Sequence, residues 1–292
     1  MNNFDYEYYH EKKTHVKEDF PYNTYLCSIP LDFTRINTHW HEEVELIIIK
    51  KGCGKVSVAL KQYTVKEGDI ILVLPGQLHS INQLDENIME YENILFKPQL
   101  LYGIGHDFCT SNYLRPIFED KFTFDAHINP ELEYYNKLYS YIDDIDTLRS
   151  QPVFGYELGI KGDLFSFFTI LFFHHIDANT PKSINKHAIK LKEILHFISG
   201  AYNQPLTPKD AADAVGFSTS HFMKIFKQHM DCTFTEYLND YRLSIAETLL
   251  TSTDKSILDI SYEIGFTNLS YFNRLFKRKY GISPREYRKS FY

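Results

Sequence analysis

The sequence predicts a mixed chain: an all-β barrel in front, helices following it, and an all-α domain at the back. Three observations predict this. Short β-branched runs broken by turn residues fill residues 25 to 96. After about residue 110 the apolar residues recur at spacings of three and four instead of alternating. Beyond residue 206 one helical unit occurs twice. With 292 residues and 43% apolar side chains, the chain can bury more than one core.

The elements follow in order. Residues up to about 24 are polar, tyrosine-rich and aperiodic, and read as an arm. Leu46-Ile47-Ile48-Ile49 is a strand run that Lys50-Lys51-Gly52-Cys53-Gly54 closes as a turn. Lys55 to Leu60 alternates. Gly68-Asp69 opens Ile70-Ile71-Leu72-Val73-Leu74, and Pro75-Gly76 stops it. Several short strands with frequent turns fit a small barrel or sandwich. Asn129 and Pro130 read as a helix N-cap and first position, with Leu132, Tyr135, Leu138, Ile142 and Ile145 along one face. A second helix is expected from Tyr156 to about His175, with Phe165, Phe168 and Phe172 on its stripe. Helices this apolar need partner surfaces, supplied by the barrel and by a second copy of the chain. Asp177 to Ser183 reads as a linker, and Lys186 to Ala201 as a helix.

Charge is unevenly divided. The formal net charge is −7, but residues 186–292 hold 15 basic against 11 acidic residues, which leaves the front strongly acidic. From Arg274 onward seven basic residues face one acid, Glu286. That asymmetry suits a polyanion partner for the back half. Cys27, Cys53, Cys109 and Cys232 form no CxxC pair, which excludes a zinc finger or disulfide framework and fits a cytoplasmic location. No apolar run reaches membrane-spanning length, and no signal peptide is read.

The repeat carries the functional signal. Asp210, Val215, Gly216 and Phe217 match Asp259, Ile264, Gly265 and Phe266 at an offset of 49. Phe222, Phe226 and Lys227 match Phe272, Phe276 and Lys277 at an offset of 50, which persists to Glu236-Tyr237 and Glu286-Tyr287. Thr207 and Ser256 read as N-caps of a short helix that ends at Val215 or Ile264. Gly216 and Gly265 supply positive φ at a sharp turn. Ser218 or Thr267 then caps a second helix, with Phe222, Ile225, Phe226 and Phe272, Leu275, Phe276 as the buried stripes. This is helix-turn-helix grammar over 207–230 and 256–280, joined by a long helix from about Phe234 to Leu250.

Residues 186–290 resemble the double helix-turn-helix domain of the AraC/XylS family of transcriptional regulators. The stretch Gly265-Phe-Thr-Asn-Leu-Ser-Tyr-Phe-Asn-Arg-Leu-Phe-Lys-Arg-Lys-Tyr-Gly-Ile-Ser-Pro284 follows the family signature closely, while Asp231 and Phe234 depart from it in the first copy, where the second has Gly281 and Pro284. The resemblance implies that both second helices enter successive major grooves of double-stranded DNA. Ser220, Lys224, Ser270, Asn273 and Arg274 would then read bases, with Met223 available to a thymine methyl. Lys227, Lys277 and Arg278 would hold phosphates. Ser218 and Asn268 complete the expected DNA contacts.

The front half resembles the two cupin motifs. His39-Trp40-His41, Glu45 and Gly52 fit HxHx3Ex6G, and Gly68 to His79 fits the second motif, with Phe33 in place of the first glycine. In metal cupins three histidines and the glutamate converge, and alternation along one strand places residues 39, 41 and 45 on one face. Regulators of this family carry such a barrel as an effector sensor. His39, His41, Glu45, His79, Tyr91 and Asn93 are therefore the expected effector-binding residues, for a sugar-like small molecule. Trp40 alternates away from the two histidines. No cofactor, no resident metal and no enzyme activity are expected, although His39, His41, Glu45 and His79 are the candidates if a metal is held. The expected arrangement is a sensor barrel over 1–110, a helical dimerisation and coupling region over 111–180, and the DNA-binding domain over 181–292. It describes a ligand-responsive activator that forms a homodimer and touches RNA polymerase. The rival is a metal-dependent cupin dioxygenase or isomerase with an appended helical module.

Overall fold

The computed structural model describes residues 19–32, 35–119, 121–122, 124–174, 186–230 and 232–290. The expected linker at 177–183, Phe33, Asp231 and most of the expected arm lie outside these residues. Contacts sort the chain into two units, one within residues 11–184 and one within residues 185–292.

The front unit is built on antiparallel strands: β1 (Tyr22–Ile29), β2 (Arg35–His39), β3 (Val44–Val58), β4 (Lys61–Lys66), β5 (Ile70–Val73), β6 (His79–Gln83), β7 (Met89–Phe96) and β8 (His127–Ile128). One layer runs β1-β7-β3-β5-β8, and β2, β6 and β4 form the other with the far half of β3. The first half of β3, Val44 to Ile49, lies between β7 and β5; its second half, Cys53 to Val58, lies between β4 and β6. β3 therefore turns the corner between layers.

That corner corrects the expected turn at residues 50–54. The ladder slips between Ile49 and Lys51, and Gly52 takes φ +78°. A Cβ there would stand 1.9 Å from the Ile88 carbonyl oxygen. The glycines mark a bulge inside one strand, where β7 approaches too closely for any side chain. Similarly, β1 starts at Tyr22, inside the stretch read as an arm.

Alternation assigns the faces. Val44, Leu46, Ile48, Ile70, Leu72, Ile94 and Phe96 share one buried cluster with the helices α2 and α3 defined below. Glu45, Ile47 and Ile49 must then point the other way, toward the second layer. A helical turn at Thr110–Leu114 runs into α1 (Arg115–Phe118), followed by α2 (Tyr135–Ser150) and α3 (Tyr156–Phe173). The α2 start lies five residues beyond the expected position. Asn129 instead closes a turn, accepting from Leu132 N through its carbonyl (3.1 Å) and from Glu131 N through Oδ1 (2.9 Å). An Asn-Pro pair opens turns as readily as helices. Tyr135, Leu138, Ile142 and Ile145 are buried as expected. The α3 stripe is rotated: Ile160, Leu164, Phe167, Phe168 and Leu171 are buried, whereas Phe165 and Phe172 are only half-buried. A helix apolar on every side has no period from which to read its face. An ion-pair group fastens α2 to the strands, with Glu92 taking Lys50 Nζ at 2.9 Å and Arg149 Nη1 at 3.1 Å, while Lys50 also meets Asp146 at 2.8 Å.

The back unit is helical: α4 (Lys186–Ala201), α5 (Pro208–Ala214), α6 (Thr219–Met230), α7 (Phe234–Ser252), α8 (Ile257–Glu263), α9 (Leu269–Tyr280) and α10 (Pro284–Lys289). Thr207 with Asp210, Thr233 with Glu236 and Ser283 with Glu286 form capping boxes, each supporting a short or isolated first turn by about 1 kcal/mol. One expected cap moves. Asn268, not Thr267, caps α9, with Oδ1 accepting from Tyr271 N at 2.9 Å. Asn268 is the residue 50 positions after Ser218, so the repeat's extra residue falls before the cap rather than after it.

Replacing Gly52 with Ala is expected to cost about 3 kcal/mol or more, from positive φ plus the clash. Gly105→Ala shares the left-handed φ of +71° but has open space around it, so it should cost only about 1 kcal/mol. Urea unfolding read by Trp40, the single tryptophan, measures both.

Candidate nucleic-acid interface and buried barrel cluster

In the back unit, each of α6 and α9 has one buried row. Phe222, Ile225 and Phe226 pack inward in α6, and Phe272, Leu275 and Phe276 in α9. Fixing that row fixes which residues face out. Ser218, Ser220, Lys224 and Lys227 are exposed in the first copy, as are Asn268, Ser270, Arg274, Lys277 and Arg278 in the second. Asn273 is half-buried. Neither helix contains an acidic residue, so the outward positive charge is uncompensated along its own helix.

The turns ahead of these helices are as expected, with Gly216 at φ +72° and Gly265 at φ +90°. The second turn is also crowded: a Cβ on Gly265 would lie 2.8 Å from the Asn203 carbonyl oxygen. Arg242 of α7 fastens this corner. It donates to the Tyr202 and Gln204 carbonyls, both at 2.7 Å, and its guanidinium lies 5.6 Å from the Phe266 ring. Buried Glu247 accepts from Tyr280 at 3.2 Å and Tyr287 at 2.5 Å, tying α9 and α10 to α7.

Sequence reasoning missed one residue on this face. The Tyr271 ring carries the Arg274 guanidinium at 5.3 Å, and its hydroxyl accepts from Asn239 Nδ2 at 3.2 Å. The i, i+3 spacing of an aromatic and an arginine on a helix was the available signal. Stacking restricts the arginine's rotamers before any ligand arrives.

In the front unit His39, His41, Glu45, His79, Tyr91 and Asn93 are all buried. They do not share one strand face, as alternation implied for the first three. β2 ends at His39, and His41 lies in the connection before β3. The grouping arises because the two layers face each other. His39 pairs with His79 across β2 and β6, and Glu45 reaches them from β3. Glu45 Oε2 lies 3.1 Å from His41 Nε2 and 2.9 Å from His79 Nε2. Ring centroids of His39 and His79 are 4.1 Å apart. One ligand atom from each of the three histidines lies within 4.8 Å of the others.

Electrostatics follow from this crowding. Burial, then the neighbouring His79 and His41, holds His39 well below the ordinary histidine range, so it is neutral at pH 7. Burial pushes the Glu45 carboxyl up, but His79 and His41 outweigh it and keep it well below the carboxylate range. Tyr91 is raised, by burial first and then by Cys27 and Glu45. Asn93 Oδ1 is buried without a hydrogen-bond partner among the described residues, and the buried Tyr91 hydroxyl faces Cys27. A buried polar atom of this kind carries a desolvation cost unless something pairs with it.

Comparison with known proteins follows the same division. Residues 30–123 match an AraC-like ligand binding domain, and residues 211–290 match a helix-turn-helix domain. The chain is similar to the HTH-type transcriptional regulator YdeC of Bacillus subtilis, 24% identical over 87% of this chain and 86% of that one. It is similar to the HTH-type transcriptional activator RhaR of Mannheimia succiniciproducens, 25% identical over 87% of each chain. It is also similar to the melibiose operon regulatory protein of Escherichia coli, 38% identical over 37% of this chain and 36% of that one.

Arg242→Ala should destabilise the back unit by about 2–4 kcal/mol, because two carbonyls lose their donor and Phe266 loses its cover. Helical circular dichroism through a urea titration reads it, and an unchanged midpoint would remove Arg242 from the account of the second turn.

Proposed function

The chain belongs to the AraC family of DNA-binding transcriptional regulators, and from that premise we propose that it is a ligand-responsive activator. Residues 1–110 sense, 111–180 couple and dimerise, and 181–292 bind DNA. The observation that carries the reading is the pair of acid-free helix faces, each held outward by a buried phenylalanine row. On this reading Ser220, Lys224, Ser270, Asn273 and Arg274 meet base edges in successive major grooves. Lys227, Lys277 and Arg278 hold phosphates, which position the helices without specifying sequence. Ser218 and Asn268 combine capping with contact to the DNA backbone, since their outer atoms are exposed.

The effector is a small polar molecule bound between the two layers of the front unit. His39, His41, Glu45, His79, Tyr91 and Asn93 provide convergent polar groups in an apolar surround, a combination suited to a hydroxyl-rich ligand. A relative that regulates a melibiose operon agrees with a sugar. The activating sense agrees with the activator RhaR, which is similar over most of its length. The protein acts in the cytoplasm as a homodimer and contacts RNA polymerase. The barrel recognises and does not catalyse. A ligand changes the balance of arrangements only to the extent that it binds them unequally.

Fluorescence anisotropy on DNA from upstream of the regulated gene tests the interface. Arg274→Ala should weaken cognate binding by about 1–3 kcal/mol and relax preference at one base pair. Tyr271→Ala should relax the same position, and the double variant should add little beyond either single one. Lys277→Ala should weaken cognate and random DNA alike and reduce the salt slope by about one unit. Identical losses on both DNAs for Arg274→Ala and Lys277→Ala would refute the division into readers and phosphate holders.

A further inference from the structure

A cavity lies in the front unit on the helical side of the sheet, away from the histidine cluster. It measures about 360 Å3, within the usual range of small-molecule sites. One wall comes from the turn Thr110–Leu114 and its continuation into α1, and the other from the C-terminal half of α3. Leu114, Ile117 and Phe168 are almost fully buried and form its floor, whereas Phe173 at its mouth is 71% exposed. Beside it Phe108, whose ring meets Tyr113 at 5.8 Å, is 67% exposed. Large rings left open around a pit mark a place where apolar surface waits for cover. The turn itself is unusually wide: the Arg115 N–H reaches back five residues to the Thr110 carbonyl. Such π-type turns are rare and recur at functional sites.

The lining decides the occupant. Among the described residues, no side chain that lines the cavity is charged, and five of the nine are phenylalanine or tyrosine. The Thr169 hydroxyl donates to the Phe165 carbonyl at 2.8 Å, so it has no hydrogen left for a guest. Water needs several polar partners and is poorly held here, while an empty apolar cavity forfeits dispersion contacts along its walls. An apolar molecule restores them. The rings also select its shape. Tyr113 meets Phe172 edge-on at 5.0 Å and 70°, and Phe122 meets Phe172 at 5.1 Å and 72°. A flat ring can join that edge-to-face array, and a flexible chain cannot. We propose that this cavity is a second small-molecule site, specific for a neutral aromatic compound. Its occupant touches Phe168, which packs on Phe96 of β7 at 6.0 Å, and so stabilises the sheet from its helical side.

Neither DNA binding by the back unit nor the histidine cluster enters this inference, so it stands or falls apart from both. The test uses the full chain and N-phenyl-1-naphthylamine, a neutral aromatic probe whose fluorescence rises in apolar surroundings. The expected result is saturable binding of a single equivalent. Thr169→Trp fills the cavity from an exposed position and should lose that binding, with helical circular dichroism and random-DNA binding unchanged. Cys109 reports the location without any cavity variant, because it lines the cavity and is exposed, whereas Cys27 and Cys232 are buried. In a Cys53→Ser background, probe at about ten times its Kd should slow thiol labelling of Cys109 about tenfold. Decanol, an aliphatic competitor, should displace the probe only weakly. Absence of saturable binding, binding retained by folded Thr169→Trp, or unslowed labelling of Cys109 overturns the proposal. Decanol that binds as tightly as the probe overturns the aromatic assignment. Sedimentation showing that Thr169→Trp turns a wild-type dimer into a monomer gives the cavity to a second copy of the chain, and overturns the proposal as well.

Discussion

Burial of one phenylalanine row beneath each outward helix is the constraint on which the back unit depends. Phe222 and Phe226 in α6, and Phe272 and Phe276 in α9, are almost completely buried. Their rings meet edge-on or tilted against Phe234, Tyr237, Phe266, Tyr280 and Tyr287. Aromatic burial on this scale is worth several kcal/mol per ring and cannot be satisfied with the helix turned over. Rotation is thereby set, and with it the direction of every lysine and arginine opposite. The capping boxes, the Arg242 tie and the glycine turns then place each helix along its axis. Charge is the last layer, and it acts on a surface already oriented by apolar packing.

The front unit applies a different logic. Its outer face is apolar and packs against α2 and α3, while its inner face admits histidine, glutamate, tyrosine and asparagine. Polar groups in such a position are costly unless something pairs with them. Glu45 meets this through His41 and His79, the Tyr91 hydroxyl faces Cys27, and Asn93 Oδ1 is left without a partner among the described residues.

Much of this was legible in the residues. The repeat was readable because each copy writes its cap, its glycine turn and its apolar row in the same order. Offsets alone placed Phe222 opposite Phe272 and Gly216 opposite Gly265. The slip to Asn268 was harder, since the extra residue, Thr267, and its neighbour Asn268 are both good capping types. In the front unit the strand residues were readable and their continuity was not. Gly52 signals a turn locally, and only the approach of Ile88, distant in the chain, makes it a bulge within β3. The grouping of His39, His41, Glu45 and His79 was anticipated from motif spacing. Its cause, two layers meeting face to face, is a tertiary fact that no single strand encodes. The Arg274–Tyr271 stack was legible in spacing, but its outward direction follows only from the burial of Phe272, Leu275 and Phe276 on the other side of α9.

Strand β7 has a further consequence. Tyr91 and Asn93 project to one side of it, and Glu92, between them, projects to the other, where Lys50 and Arg149 grip it. A rigid ribbon cannot move one of these without the others. A displacement of Tyr91 and Asn93 would therefore be felt at Glu92, the point where α2 is anchored to the sheet.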